Sequence, residues 1–225
     1  MTELLKKWDQ YKPGDVGFIE HNRKDLYHKM YIEYIRKHEN IKSILEIGPG
    51  QLIEYPEIRK IRTIKYNVLE TSKSFIDYIA KMYPDVNIIK GVIERFVNEP
   101  VILYDLVRVC DVVEHTYPVV TAIKNITTCA RRFHITLFKW SVGGSLRSII
   151  RQDRQGIRYF SSNFDIIKLI NEIKRHAIID SAHVLIKETS EVMEFNDYWV
   201  KYYTNNNPLQ NSIRGHRLII TGVRL

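Results

Sequence analysis

Between residues 41 and 140 a short apolar run gives way to an amphipathic segment again and again, and this alternation constrains the fold more than any other feature. The runs are "IKSILEI" (residues 41–47), "TIKYNVLE" (63–70), "PDVNIIKG" (84–91), "VILYDLVRVCD" (101–111) and "FHITLFKW" (133–140). Each reads as a buried strand. In "EYPEIRKI", between the first two, Pro56 suits only a first helical turn, so that crossover helix starts late. "SKSFIDYIAKMY" sets Phe75, Ile76, Ile79 and Met82 on one helical face behind a serine cap, and "YPVVTAIKNITTCARR" is a helix with Pro118 near its start. Five strands alternating with helices require right-handed crossovers and a parallel sheet covered on both faces. The expected class is a doubly wound α/β domain.

Ahead of the first strand, "RKDLYHKMYIEYIRKH" carries Leu26, Met30, Ile32 and Ile35 near helical spacing. Beyond the fifth strand come a capped helix, "SSNFDIIKLINEIKRH", and two closing runs, "AIIDSAHVLIKE" and "HRLIITGVRL". The interval between them, "EVMEFNDYWVKYY", is expected to be partly helical. The 225 residues show no compositional break, so a single domain over 1–225 is expected. With no leader-like apolar core and no uncharged apolar stretch of bilayer length, a soluble, cytoplasmic protein without a membrane partner is expected. Cys110 and Cys129 lack metal or redox spacing and are expected to be small apolar fillers, with no metal site. The net charge of +8 favours an acidic partner.

The first strand ends in "LEIGPGQLIEY". A dinucleotide-binding G-x-G-x-x-G turn would need glycine where Ile53 stands, and a phosphate-binding Walker loop would need Lys followed by Ser or Thr. What remains is an acid, Glu46, ahead of Gly48 and Gly50. A carboxylate there repels phosphate and suits a cationic part of a ligand, such as an amino acid ammonium.

This turn resembles the first motif of class I S-adenosylmethionine-dependent methyltransferases, with Leu52 in place of the third glycine. The segment "YDLVRVCDVVEHTYP" is similar to the fourth-strand segment of the members that modify small molecules. The resemblance covers residues 41 to 140 and implies a mostly parallel seven-stranded sheet whose last strand inserts antiparallel between strands five and six. It also implies S-adenosylmethionine as cofactor and S-adenosylhomocysteine as product. Glu46, Gly48 and Gly50 would cradle the methionine part, Glu70 at the tip of strand two would accept from the ribose hydroxyls, and Cys110 and Asp111 would lie beside the methyl donor. The family's adenine-binding aspartate is replaced by Val92, so the backbone at Val92 or Ile93, or the side chain of Glu94, would read the base. Residues 1–40 then form a helical cap, 41–140 the cofactor core and 141–225 the substrate-side segments and closing strands.

Methyl transfer from a sulfonium needs the acceptor held in line, and a base only where the nucleophile keeps a proton at neutral pH. Candidates are His115 and Asp111, with Glu114 orienting a loop. Lys139, closing strand five, and Asp111 resemble two members of the Lys-Asp-Lys-Glu set of RNA 2′-O-methyltransferases; Lys42 and Glu188 are the candidates for the outer two. The arginines Arg147, Arg151, Arg154 and Arg158 offer either a basic lip for phosphate or carboxylate or a solvated surface. Trp8, Tyr11, Tyr27, Tyr31 and Tyr34 either cap the pocket or pack on the sheet. The expected activity is methyl transfer to oxygen or nitrogen of a small or medium-sized polar molecule. RNA methylation and a catalytically silent cofactor-binding module are the alternatives.

Overall fold

A computed structural model describes residues 8–10, 12–13, 26–96, 102–138, 140–141, 146, 149–152, 158–161, 164–186, 191–197 and 217–225. Its first half is built as the alternation requires: α1 (Leu26–Lys37), β1 (Ser43–Ile47), α2 (Tyr55–Ile61), β2 (Lys65–Glu70), α3 (Lys73–Met82), β3 (Asn87–Lys90), β4 (Tyr104–Cys110), α4 (Val119–Thr128) and β5 (Ala130–Leu137). Two short pairs follow, β6 (Trp140–Ser141) with β9 (Phe164–Asp165), and β7 (Ile149–Gln152) with β8 (Arg158–Ser161). The chain then forms α5 (Ile166–Lys174), β10 (Ala177–Leu185), β11 (Val192–Glu194) and β12 (Arg217–Arg224).

The main sheet has the order β11-β10-β12-β5-β4-β1-β2-β3. Strands β1 to β5 are parallel, and β12 inserts antiparallel between β5 and β10, as expected. An eighth strand, β11, adds antiparallel to the outer edge of β10. It occupies the start of the interval expected to be partly helical. Residues 198 to 216 lie outside the described residues.

Alternate residues along the strands feed two cores, as the period of two demands. Leu45, Val107, Phe133 and Ile135 pack with α4 and α5 on one face. Ile44, Tyr66, Val68 and Leu106 pack with Tyr31 and Ile35 of α1 and Ile58 of α2 on the other. Pro56 falls in the first turn of α2, as its chemistry requires.

Local chemistry departs from expectation in two places. Ser72 stands at the N-cap of α3, but its hydroxyl does not cap; it donates to the carbonyl of Trp8 at 3.0 Å. The first N–H groups are taken instead by Glu70 Oε1, from Thr71 and Ser72, and by Asp9 Oδ1, from Lys73. Strand five starts three residues before Phe133 and stops at Leu137. The Phe138 N–H donates to the buried carboxylate of Glu114 at 2.7 Å, which withdraws it from the sheet, and Trp140 pairs with Phe164 in a separate ladder.

Candidate active site

The strand order turns outward on either side of β1 and β4, the place where open α/β sheets gather ligands beyond their carboxyl ends. A cleft of about 480 Å³ opens there. Its floor is the glycine turn. Gly48, Gly50 and Leu52 have φ of 59°, 57° and 55°, so the third position keeps the left-handed backbone that a glycine would adopt freely. Leu52 is fully buried against the α1–α2 side of the core, which offsets the strain of that backbone. At Gly48 a Cβ would stand 2.7 Å from Val112 Cγ2, so the turn lies directly against the chain leaving β4.

Glu46 and Glu70 border this turn, both buried and both lining the cleft. Burial raises the pKa of Glu70, while the N–H groups of Ser72, Thr71 and Gly50 counter it. On the β3 side, Val92 and Ile93 give the wall an apolar surface with Phe75 and Leu69. Glu94 lines the same wall; its Oε1 accepts from the Tyr117 N–H at 2.7 Å, and burial raises its pKa.

At the end of β4, Cys110 and Asp111 line the cleft together with His115. Burial holds the Cys110 thiol well above its ordinary pKa, so it is a neutral wall. Burial pushes the Cys129 thiol up to about 12, and it is enclosed in the core as expected. Asp111 has a left-handed φ of 56°, and its N–H donates to the Thr136 carbonyl at 2.9 Å. Its Oδ2 accepts from Arg217 Nη1, while Oδ1 is buried with no partner among the described residues. The His115 ring stands edge-on to Trp8, centroids 4.7 Å apart, and 6.1 Å from Phe138.

No known family model matches the chain, and no curated protein matches it in sequence. Solved structures do match in shape. The N-terminal domain of EvdMO1 with S-adenosylhomocysteine bound aligns over 98% of this chain and 94% of its own, with a TM-score of 0.62 at 10% identity. The fold is that of class I S-adenosylmethionine-dependent methyltransferases. The Burkholderia thailandensis 1,6-didemethyltoxoflavin-N1-methyltransferase, with 1,6-didemethyltoxoflavin and S-adenosylhomocysteine bound, aligns over 89% of this chain and 79% of its own, with a TM-score of 0.57 at 10% identity. An S-adenosylmethionine-dependent methyltransferase from Mesorhizobium loti aligns over 86% and 96%, with a TM-score of 0.54 at 12% identity.

Within this methyltransferase fold, the ten candidate residues from Glu46 to His115 that are described all face one cleft: Glu46, Gly48, Gly50, Glu70, Val92, Ile93, Glu94, Cys110, Asp111 and His115. Trp8 and Tyr27 line it too, whereas Tyr31 is enclosed in the core. Lys139, Arg147, Arg154, Glu188 and Tyr11 lie outside the described residues. Arg151 and Arg158 fall on the paired strands β7 and β8.

The sequence did not expose the buried charges under this cleft. Arg108, in the middle of β4, is fully buried and registers beside Glu46 on β1 and His134 on β5. Its Nη2 donates to Glu54 Oε1 at 2.5 Å, its Nε lies 3.7 Å from Glu46, and it stacks on Tyr31 at 3.8 Å. Glu54 also meets His28 Nδ1 at 2.5 Å, while Glu46 Oε2 accepts from the Tyr66 hydroxyl at 2.5 Å. One guanidinium between two carboxylates neutralises the nearer. Burial works to raise the pKa of Glu54, but Arg108 and His28 outweigh it and hold the group ionised. Burial and the Glu54 charge push Glu46 up to about 8, so it keeps its proton at neutral pH and is not the charged carboxylate that the sequence suggested. The visible signal was an arginine inside the apolar run "LVRVC"; nothing in the sequence pointed to its partner Glu54.

Proposed function

We propose that this protein transfers the methyl group of S-adenosylmethionine to an oxygen or nitrogen of a small or medium-sized polar acceptor. The observation that carries the proposal is the turn of three left-handed residues, 48, 50 and 52, set between two buried acids on the floor of a cleft. The structural neighbours with S-adenosylhomocysteine bound support the cofactor, and a neighbour holding 1,6-didemethyltoxoflavin supports a small acceptor.

The residues present fit the cofactor. Gly48 and Gly50 bring bare backbone to the cleft floor, Glu70 stands at the strand tip suited to a ribose diol, and the apolar Val92–Ile93 wall suits a purine face. The unpartnered Asp111 Oδ1 calls for a hydrogen-bond donor. When bound, S-adenosylmethionine supplies an electrophilic methyl on a sulfonium sulfur, which leaves with its bonding pair as the acceptor's lone pair forms the new bond. The chain's own task is to orient the acceptor and exclude water. Trp8 and Phe138 flank His115 with apolar faces, and Asp111 and His115 are the groups placed to take a proton from a nucleophile that carries one.

Isothermal calorimetry with S-adenosylhomocysteine tests the cofactor, and transfer of a tritiated methyl into a metabolite extract tests the reaction. Binding without transfer to metabolites or RNA would make the protein a cofactor-binding module.

A further inference from the structure

Arg217 opens β12, and because β12 runs antiparallel to β5 its first residue lies at the carboxyl edge of the sheet, beside Leu185 of β10. From there its side chain reaches the cleft and donates through Nη1 to Asp111 Oδ2. The guanidinium lies over the Tyr27 ring of α1 at 4.0 Å. Burial works against its charge, but the surrounding acidic groups, Asp111 first among them, together outweigh this and hold the group charged. The side chains of Arg217 and Asp111 are 16% and 15% exposed, so the pair is sheltered yet reachable. A guanidinium carries five N–H donors, and Asp111 is the sole hydrogen-bonding partner of Arg217 among the described residues. Arg217 itself lines the cleft.

Position decides what meets that guanidinium. The glycine turn and Glu70 occupy β1 and β2, whereas Arg217 approaches Asp111 from the opposite side, across β5 from β4. A ligand seated on the turn leaves Arg217 on the far side of Asp111, where the acceptor must enter. Resting on the methyltransferase reading, we infer that the acceptor is an organic anion whose carboxylate or phosphate pairs with the remaining N–H donors of Arg217 while its nucleophilic N–H or O–H is turned toward the methyl donor. The anionic group is a handle, not the nucleophile, so the methylated product stays anionic. Arg217 thereby sets acceptor specificity and also holds Asp111 in place.

The test uses the full chain and its Arg217→Lys and Arg217→Gln variants with tritiated-methyl S-adenosylmethionine and a metabolite extract. Labelled products are separated by anion exchange at neutral pH, before and after phosphatase treatment. The expected label is retained on the exchanger; its release by phosphatase assigns a phosphate, and its persistence a carboxylate. Arg217→Gln should raise the extract concentration giving half-maximal labelling at least about ten-fold, with Arg217→Lys between it and the parent. Calorimetric affinity for S-adenosylhomocysteine should stay within about two-fold in both variants. Label found only in unretained products would overturn the inference, as would an Arg217→Gln variant that labels like the parent or that loses cofactor affinity by the same factor. Failure of the parent itself to bind S-adenosylhomocysteine would instead sink the methyltransferase reading.

Discussion

Arg108 and Glu54, 54 positions apart in sequence, form a buried ion pair with Nη2 and Oε1 at 2.5 Å, and this pair ties the middle of β4 to the start of α2 beneath the cleft. Removing one partner leaves an uncompensated buried charge. Arg108→Leu is expected to cost about 3–5 kcal/mol in urea denaturation, and adding Glu54→Gln should recover part of the loss. Equal stability of the single and parent proteins would show that the pair is not buried as described.

Glu46 gives the pair a pH signature. Its pKa is raised from 4.5 to about 8, so the stability that comes from its bound proton is fully present below about pH 4.5 and is lost as pH rises through 8. Glu54 has the opposite sign: its lowered pKa contributes stability above its ordinary value and loses it in acid. Glu46→Gln, which keeps the neutral shape, should therefore lose less stability than the parent between pH 6 and pH 9. Parallel curves for the two proteins would contradict the assignment.

Leu52 combines a strained backbone with a fully buried side chain. Glycine there relieves roughly 1–2 kcal/mol of left-handed strain but forfeits packing of the order of 2–5 kcal/mol. Alanine keeps the strain and still loses the packing. Thermal melts should rank parent above Leu52→Gly above Leu52→Ala; alanine above glycine would mean that position 52 is not left-handed.

Gly48 has no such choice, because its φ is 59° and a Cβ would press on Val112 Cγ2 at 2.7 Å. Valine is stiff at χ1 and cannot swing aside cheaply. Gly48→Ala is expected to cost about 1–2 kcal/mol or more in stability and to weaken S-adenosylhomocysteine binding, with Val112→Ala restoring the steric part alone. A Gly48→Ala protein as stable as its parent would refute the contact.

The sheet could be read from the sequence because its determinants are local. Runs such as "IKSILEI" carry their own period, and Pro56 announces the start of α2. The candidate residues at the glycine turn and Glu70 were legible for the same reason: they are fixed by strand ends. Arg108 was hidden because burying a cation depends on Glu54 and Tyr31, which approach only after folding. Arg217 was hidden because β12 inserts beside β5 from 81 residues away in sequence (Leu218 beside Leu137). The end of β5 was misplaced because Glu114, distant in the chain, takes the N–H of Phe138.

The central claim is that the cleft between Glu46 and Glu70 is a cofactor site, and calorimetry with S-adenosylhomocysteine on the parent and Glu70→Ala proteins tests it most directly. The account predicts one site per chain in the parent and a loss of at least about ten-fold in affinity on Glu70→Ala, the order expected when hydrogen bonds to a carboxylate are removed. No heat of binding in the parent, or an undiminished affinity in a folded Glu70→Ala variant, would contradict it.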